Sequence, residues 1–211
     1  MKTLLLLLSV LVLFTFPISV SAANKPAPFN PIPDSICIDP GHGDSDIGAK
    51  NQDLLEKNVN LEVALKLRDK LIANGYTNVF MTRTIDVSLS NADRYNFCND
   101  ERAAILISIH HNGSVNPDTD YTSALYMKKA DVALAQLVAD KVSTGLSLPN
   151  NGISRFASGV LLKAKMPATI SEGFFLTNTD EYNLLNSTTI DRRQEEAQAL
   201  YNGIVNYFSS R

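Results

Sequence analysis

The three histidines of this chain, together with two of its glutamates, lie in four short polar motifs. The motifs are Asp39-Pro40-Gly41-His42-Gly43, Glu56-Lys57-Asn58, Ser108-Ile109-His110-His111-Asn112 and Ser171-Glu172-Gly173-Phe174. Two imidazoles and a carboxylate, with a further carboxylate beside them, are the composition of a catalytic zinc site that keeps one coordination position open. The residue types therefore predict a metal centre with a catalytic role.

Taken singly, each candidate also has a purely structural explanation. His42, between two glycines, could be a turn residue, and Glu56 could be a solvated charge near the start of a helix. Side chains alternate between faces along a strand, so only one of His110 and His111 is expected to face a metal. A carboxylate such as Glu172 after a buried run is costly unless it is solvated, paired or used. The hypothesis therefore depends on whether the motifs meet in space.

Apolar runs typical of strands alternate along the chain with segments of helical periodicity. The strand-like runs cover residues 35–39, 78–83, 105–110, 124–127, 160–164 and 169–171, and the helical segments cover 58–75, 130–146 and 197–208. Asn58 is expected to cap the first helix, and Gly75 to stop it. This alternation predicts an α/β fold, a single-domain three-layer sandwich whose mostly parallel or mixed sheet has about six strands flanked by helices.

The predicted elements bring the four motifs to one edge of that sheet. His42 follows the first strand, His110 ends the third and Glu172 ends the last, while Glu56 lies just before the first helix. Sites in α/β sheets form at the carboxyl ends of the strands. The sequence therefore predicts that all four side chains converge on a zinc site at the carboxyl edge.

The N-terminal region has the pattern of an exported protein. Residues 1–22 combine Lys2, an apolar run and small residues up to Ala22, which predicts a cleaved signal peptide. A retained anchor is the alternative, although the run is shorter than the roughly 20 residues that span a bilayer. Residues 23–33 contain four prolines and predict a linker, and residues 34–211 suit one catalytic domain. We expect a periplasmic, cell-wall or extracellular protein with no membrane association after cleavage.

Charge and cysteine content narrow the class of protein further. The formal net charge is −3 and no basic stripe is visible, which argues against nucleic acid as a partner. The two cysteines, Cys37 and Cys98, could form a disulfide in an exported protein or remain as two buried thiols. The sequence leaves these two alternatives open.

In this order, the four motifs resemble those of the zinc-dependent N-acetylmuramoyl-L-alanine amidase family, whose catalytic domain is called amidase type 3. The resemblance covers nearly all of residues 35–208 and includes further matches at Gly48-Ala49, Thr82-Arg83, Asp86, Arg94, Asn99, Met166-Pro167-Ala168 and Asn178. The chain departs from the family pattern at Asp44, where a second glycine is usual, and at Cys98, where alanine is usual. Neither departure removes a candidate ligand.

The resemblance implies a role for each motif. It places one zinc ion per chain on His42, Glu56 and His110, with water in the fourth position as the nucleophile and Glu172 as the general base and acid. The bond cleaved would be the amide between the lactyl group of N-acetylmuramic acid and L-alanine of peptidoglycan. Weaker candidates, expected to orient ligands or to face the substrate, are Asp39, Arg94, His111 and Asn112.

Two other functions remain open at the level of sequence. A zinc metallopeptidase that acts within the stem peptide would share the ligand composition, and would need a carboxylate-binding arginine, for which Arg94 is the candidate. An inactive wall-binding or activator protein on the same fold would have lost a ligand or the base, and none is missing here. Expected partners are a peptidoglycan or muropeptide substrate and, as an open alternative, a protein activator.

Overall fold

A six-stranded mixed sheet forms the centre of the computed structural model, which describes residues 28–211. Its strands, in chain order, are β1 (Ile36–Pro40), β4 (Val79–Met81), β5 (Ile105–Asn112), β6 (Thr122–Tyr126), β7 (Asn150–Arg155) and β8 (Ala168–Phe175), and a separate hairpin pairs β2 (Lys50–Asn51) with β3 (Leu54–Leu55). The order across the sheet is β4-β1-β5-β8-β6-β7, and β6 runs antiparallel to β8 while the other neighbours are parallel.

Helices cover both faces of this sheet, which confirms the predicted single α/β domain. They are α1 (Glu56–Ala73), α2 (Asn91–Asp100), α3 (Val132–Leu146), α4 (Gly159–Lys163), α5 (Thr179–Leu185) and α6 (Arg192–Ser209). Helices α1, α3 and α6 pack with one apolar cluster, and α2 and α4 with the other. Each face of the sheet thus buries its own core.

Alternation along the central strands decides which side chains reach which face. On β5, Ile105, Ile107 and Ile109 join the cluster beneath α1, α3 and α6, whereas Leu106 joins the cluster beneath α2 and α4. The same alternation directs His110 to the α2 and α4 face and its neighbour His111 to the α6 face. The two adjacent histidines therefore have different surroundings.

The pairing of β5 with β8 becomes irregular directly after Glu172. His110 is paired with Glu172, and the next aligned pair is Asn112 with Phe175, so β8 has one residue more than β5 over this interval. Such a bulge bends a strand and redirects its side chains. Glu172 consequently lies inside β8, three residues before its end, and not at the end of the strand as the sequence predicted.

Several element predictions were wrong, each for a local reason. The apolar run 160–164 belongs to α4, whose Ser158 cap accepts a hydrogen bond from the Val160 N–H. A short apolar run cannot be assigned to strand or helix by periodicity alone. The first helix begins at Glu56 with Leu55 as its N-cap, so Asn58 lies within the first turn. Strand β7 was missed because its start, Asn150-Asn151-Gly152, is polar and partly exposed.

A disulfide joins Cys37 on β1 to Cys98 on α2, across a Cα–Cα distance of 5.7 Å. Both cysteines are completely buried. The structure thus selects the disulfide from the two alternatives that the sequence left open. The bond ties the strand that precedes the His42 motif to the helix that carries Arg94.

The end of the predicted linker contacts the domain without forming a helix or strand. The Ile32 N–H donates to the carbonyl of Arg102, whose Nε donates to the carbonyl of Asn30. The predicted signal peptide and the first part of the linker, residues 1–27, lie outside the described residues. Within residues 28–211, no helix has the length and apolar character needed to cross a membrane.

Candidate metal centre

The structure brings His42, Glu56 and His110 together, with one potential ligand atom from each lying within 4.8 Å of the others. Oε1 of Glu56 is 3.1 Å from Nε2 of His42 and 3.1 Å from Nδ1 of His110. Ligand atoms roughly 2.0–2.2 Å from a tetrahedral zinc ion lie roughly 3.3 Å apart. The three side chains are therefore positioned to bind a metal ion.

Glycines around the group allow this close approach. A Cβ atom on Gly41 would lie 2.2 Å from the ring of His110, and one on Gly48 would lie 2.3 Å from Oε2 of Glu56. His42 itself has a φ of 59°, in the left-handed region that side chains other than glycine seldom adopt. The chain after β1 is thus held in a sharp turn that directs the His42 ring toward Glu56.

The carboxylate of Glu56 is fixed and charged. Its Oε2 accepts a hydrogen bond of 2.7 Å from the Ala49 N–H, and its Oε1 accepts one of 3.1 Å from the His111 N–H. Burial alone would raise the pKa of Glu56, but the hydrogen bonds and charges of His110 and His42 outweigh it and lower the pKa strongly. Glu56 is therefore ionised, as a metal ligand must be.

Asp46 orients the other side of the His42 ring. Its Oδ1 lies 2.8 Å from Nδ1 of His42, an ion-pair contact rather than an aligned hydrogen bond. Burial would lower the pKa of His42, and the carboxylates of Glu56 and Asp46 together raise it instead. A carboxylate behind a metal-binding imidazole fixes the ring and its basicity. Asp46 was not predicted from the sequence as a site residue, although it stands four residues after His42.

Glu172 lies beside the three ligand candidates and differs from Glu56 in its environment. It lines the same pocket as His42 and His110, a cavity of about 420 Å³, and its strand neighbour is His110. Burial is the largest influence and raises the pKa of Glu172, partly opposed by His110. A carboxyl group with a raised pKa can accept and return a proton near neutral pH.

Asp39 and Arg94 support the turn that carries His42. Asp39 accepts hydrogen bonds from Thr82 Oγ1 (2.6 Å), Arg94 Nη1 (2.8 Å) and Ser108 Oγ (2.8 Å). Arg94 donates in addition to the carbonyl oxygens of Pro40 (2.7 Å) and His42 (2.9 Å). Both side chains are buried, and their hydrogen bonds hold the backbone that carries His42.

Arg83 is a second support of this turn, and its role was not predicted from the sequence, although it lies in the Thr82-Arg83 match to the family. Its guanidinium donates to the carbonyl oxygens of Pro40 (3.0 Å), Gly41 (2.9 Å) and Lys57 (2.8 Å). It thereby joins the turn before His42 to the first turn of α1, next to Glu56. The spacing of arginines in the sequence gave no indication of this contact.

The remaining candidates lie outside the ligand group. His111 points toward α1 and α6, where its ring contacts Asn60 on α1 and Glu196 on α6, and it is 2% exposed. Asn112 ends β5, and its carbonyl accepts the Leu176 N–H. Neither Asn60 nor Glu196 was selected from the sequence. Glu196 lies one turn before Leu200 on the apolar stripe of α6, and this position could have marked it.

The chain matches one protein-family model, described as N-acetylmuramoyl-L-alanine amidase, over residues 36–206. It is 33% identical to the N-acetylmuramoyl-L-alanine amidase LytC of Bacillus subtilis over 90% of this chain and 38% of LytC. It is 30% identical to the germination-specific N-acetylmuramoyl-L-alanine amidase of the same organism, over 83% of this chain and 80% of that protein. The chain thus spans less than half the length of LytC.

Solved structures show the same fold. The catalytic domain of CwlV, an N-acetylmuramoyl-L-alanine amidase from Bacillus (Paenibacillus) polymyxa var. colistinus, aligns with a TM-score of 0.78 at 29% identity over 84% of this chain and 99% of that one. An N-acetylmuramoyl-L-alanine amidase from Clostridium difficile 630 gives a TM-score of 0.77 at 32% identity, over 84% and 97%. The CwlD amidase from Clostridioides difficile, solved in complex with the GerS lipoprotein, gives 0.72 at 27%, over 84% and 99%.

Proposed function

The chain belongs to the N-acetylmuramoyl-L-alanine amidase family, and we propose that it hydrolyses peptidoglycan with one zinc ion on His42, Glu56 and His110. The bond cleaved is the amide between the lactyl group of N-acetylmuramic acid and L-alanine. The observation that carries this proposal is the group of three ligand atoms within 4.8 Å, with Glu172 lining the same pocket.

The donor set fits zinc better than a harder cation. Two imidazoles and one carboxylate suit zinc, whereas magnesium and calcium prefer oxygen ligands. The side chains of His42 and His110 remain 22% and 23% exposed, so the group is accessible from the pocket. Zinc bound there supplies Lewis acidity and lowers the pKa of a water molecule to roughly 7.

Glu172 performs the proton transfers in this proposal. Its carboxylate takes a proton from the attacking water and returns it to the amine of the departing L-alanine. The pKa of Glu172 is raised by burial, which makes its protonated form accessible after the first transfer. Arg94, Arg83 and Asp39 hold the His42 turn in place and take no part in the proton transfer.

Arg94 weakens the metallopeptidase alternative. It is the single arginine among the described residues that line the pocket. Its nitrogen atoms donate to Leu89 O, Asp39 Oδ1, Pro40 O and His42 O. A guanidinium committed in this way is poorly placed to bind the terminal carboxylate of a stem peptide. This favours the amidase over a carboxypeptidase.

The proposal extends to the domain organisation and the location of the protein. Residues 1–22 act as a cleaved signal peptide, residues 23–33 as a linker and residues 34–211 as the catalytic domain of an exported protein. The substrate is the cell wall. A protein activator is a further part of the proposal, supported by the description of CwlD in complex with the GerS lipoprotein.

Chelation and readdition of metal test the proposal on purified peptidoglycan. We expect the mature chain to hydrolyse the amide and so expose new free amino groups on L-alanine. Chelation of the metal should abolish this reaction, and added zinc should restore it. If free L-alanine amino groups appeared equally fast after complete removal of zinc, the proposal would be contradicted.

A further inference from the structure

A row of three buried polar side chains runs from the metal-ligand candidates into α6. His111 Nδ1 lies 2.6 Å from Asn60 Oδ1, and His111 Nε2 lies 2.8 Å from Glu196 Oε2. Asn60 and Glu196 are completely buried and His111 nearly so. The row starts next to Glu56 and ends on the last helix, 85 residues along the chain from His111.

The hydrogen bonds fix the orientation of each group in the row. Asn60 Nδ2 donates to the carbonyl of Gly41 (3.2 Å) and faces Oε1 of Glu56 (3.4 Å). Its Oδ1 therefore faces His111 and can only accept a hydrogen bond. Nδ1 of His111 must carry a proton, and Glu196 pairs with the opposite ring nitrogen.

The fold makes room for this acidic side chain in an otherwise apolar layer. A Cβ atom on Gly173 would lie 2.3 Å from Oε1 of Glu196, so the glycine after Glu172 is required for the carboxylate to fit. The ring of Phe174 packs 4.1 Å from the ring of His111. A buried carboxylate is costly unless it is paired. Gly173 on β8 leaves the space for the Glu196 carboxylate, and His111 on β5 is its partner.

We propose that Glu196 and His111 are positioning residues for the metal centre, which act through Asn60 on Glu56 and on the Gly41 carbonyl before His42. Glu196 holds His111 with its Nδ1–H toward Asn60, and this contact keeps the Asn60 amide group turned toward Glu56. Helix α6 thereby becomes a support of the metal site. This inference rests on the ligand set of the proposed function.

Zinc affinity is the readout that separates this role from a merely structural one. Loss of a partner that orients metal ligands typically weakens metal binding about 10- to 100-fold. The double variant His111→Leu/Glu196→Leu removes the buried pair as a unit and leaves no buried charge unpaired, so it is expected to fold. Glu196→Gln retains a side-chain N–H donor for Nε2 of His111 and preserves the orientation of the row.

The experiment measures zinc affinity by competition with a chelating dye, and folding of the zinc-free proteins by circular dichroism in urea. We expect the double variant to bind zinc at least about 10-fold more weakly, and Glu196→Gln to stay within about threefold of the unaltered chain. The control is Glu181→Gln on α5. It weakens a buried ion pair with Arg192, which lies on α6 like Glu196, and it changes no residue of the row. It should lose stability and keep its zinc affinity.

Each outcome decides between the possible roles. Unaltered zinc affinity in the folded double variant would overturn this inference and leave the proposed function intact. An equal loss of affinity in Glu181→Gln would also overturn it, because general destabilisation would then explain the effect. If the unaltered chain bound no zinc, the proposed ligand set would fail and this inference with it.

Discussion

The buried carboxyl group of Glu56 and the half-buried one of Glu172 lie in one pocket region, but their neighbours shift their pKa values in opposite directions. Burial would raise the pKa of Glu56, but the hydrogen bonds and charges of His110 and His42 lower it and keep the group charged. Glu172 lies on a buried strand, and desolvation raises its pKa. Pairs of titratable groups with divergent pKa values mark the division of roles in an active site. This contrast supports Glu56 as a ligand and Glu172 as the proton carrier.

Replacing Glu172 by glutamine should abolish most of the turnover without loss of metal. Glutamine keeps the size of the side chain but cannot accept the proton, and loss of general acid–base catalysis typically costs about 10²- to 10⁴-fold in rate. The measurements are kcat on a soluble muropeptide and zinc content per chain. A variant that kept the unaltered kcat would show that another group carries the proton.

Two glutamates on α1 provide a matched test of the ligand set. Glu56→Gln should lose zinc because a neutral amide is a far weaker ligand than a carboxylate between two imidazoles. Glu62→Gln, also on α1, affects a half-exposed side chain paired with Arg193 and should retain zinc. Metal analysis after dialysis distinguishes the two variants. Equal zinc content in both would remove Glu56 from the ligand set.

The grouping of His42, Glu56 and His110 was predictable from sequence because residue type limits the chemistry. With three histidines and two glutamates in the four motifs, few combinations of side chains could bind a metal ion. The structure does bring His42, Glu56 and His110 together. The contacts of Asn60 and Glu196 with His111 were not predictable in the same way, even though the position of Glu196 on the apolar stripe of α6 is unusual. Their contacts join α1 and α6 across His111, and no local pattern encodes a distance between elements so far apart in sequence.

At the scale of elements, β1, β5 and β8 bring the site together, and the glycines of the connecting turns let it close. Parallel pairing aligns Asp39 with Ser108 and His110 with Glu172, so residues from distant segments become neighbours. The convergence of the motifs on one edge of the sheet could be predicted from sequence, because that prediction needed only the order and direction of the strands. The position of Glu172 within β8 was missed, since a bulge depends on the pairing partner.

Gly41→Ala tests the close approach between the β1 turn and β5. The added methyl group would lie 2.2 Å from the His110 ring and must displace either the ring or the turn. We expect a loss of zinc affinity of about 10-fold or more, in line with other disturbances of metal-ligand geometry. Gly203→Ala on α6 is the control, because its Cβ would meet neighbours at 3.4 Å or beyond. Normal zinc affinity in Gly41→Ala would contradict the steric account.

The molecule as a whole is a three-layer domain with a covalent bond between its central sheet and α2. The Cys37–Cys98 disulfide lies close to the buried contacts among Asp39, Arg94 and the His42 turn. The sequence left open a disulfide or two buried thiols, because it could not show whether the Cα atoms of the two cysteines lie close enough to pair. That distance depends on how α2 packs against β1, which is a property of the complete fold.

Removing the disulfide should lower the free energy of unfolding without removing the metal site. The sequence separation of 61 residues corresponds to a closed loop in the unfolded chain, for which a stabilisation of about 2–4 kcal/mol is typical. The double variant Cys37→Ala/Cys98→Ala, compared with the unaltered chain in urea, measures the difference. Unchanged stability would show that the bond does not restrict the unfolded chain to that extent.

Mass spectrometry of a defined muropeptide treated with the zinc-loaded mature chain, alongside Glu172→Gln, is the strongest test of the proposed function. If the proposed function is right, the unaltered chain releases an intact stem peptide with a free L-alanine amino group, and the variant releases almost none. Cleavage inside the stem peptide, or equal release by the variant, would contradict it.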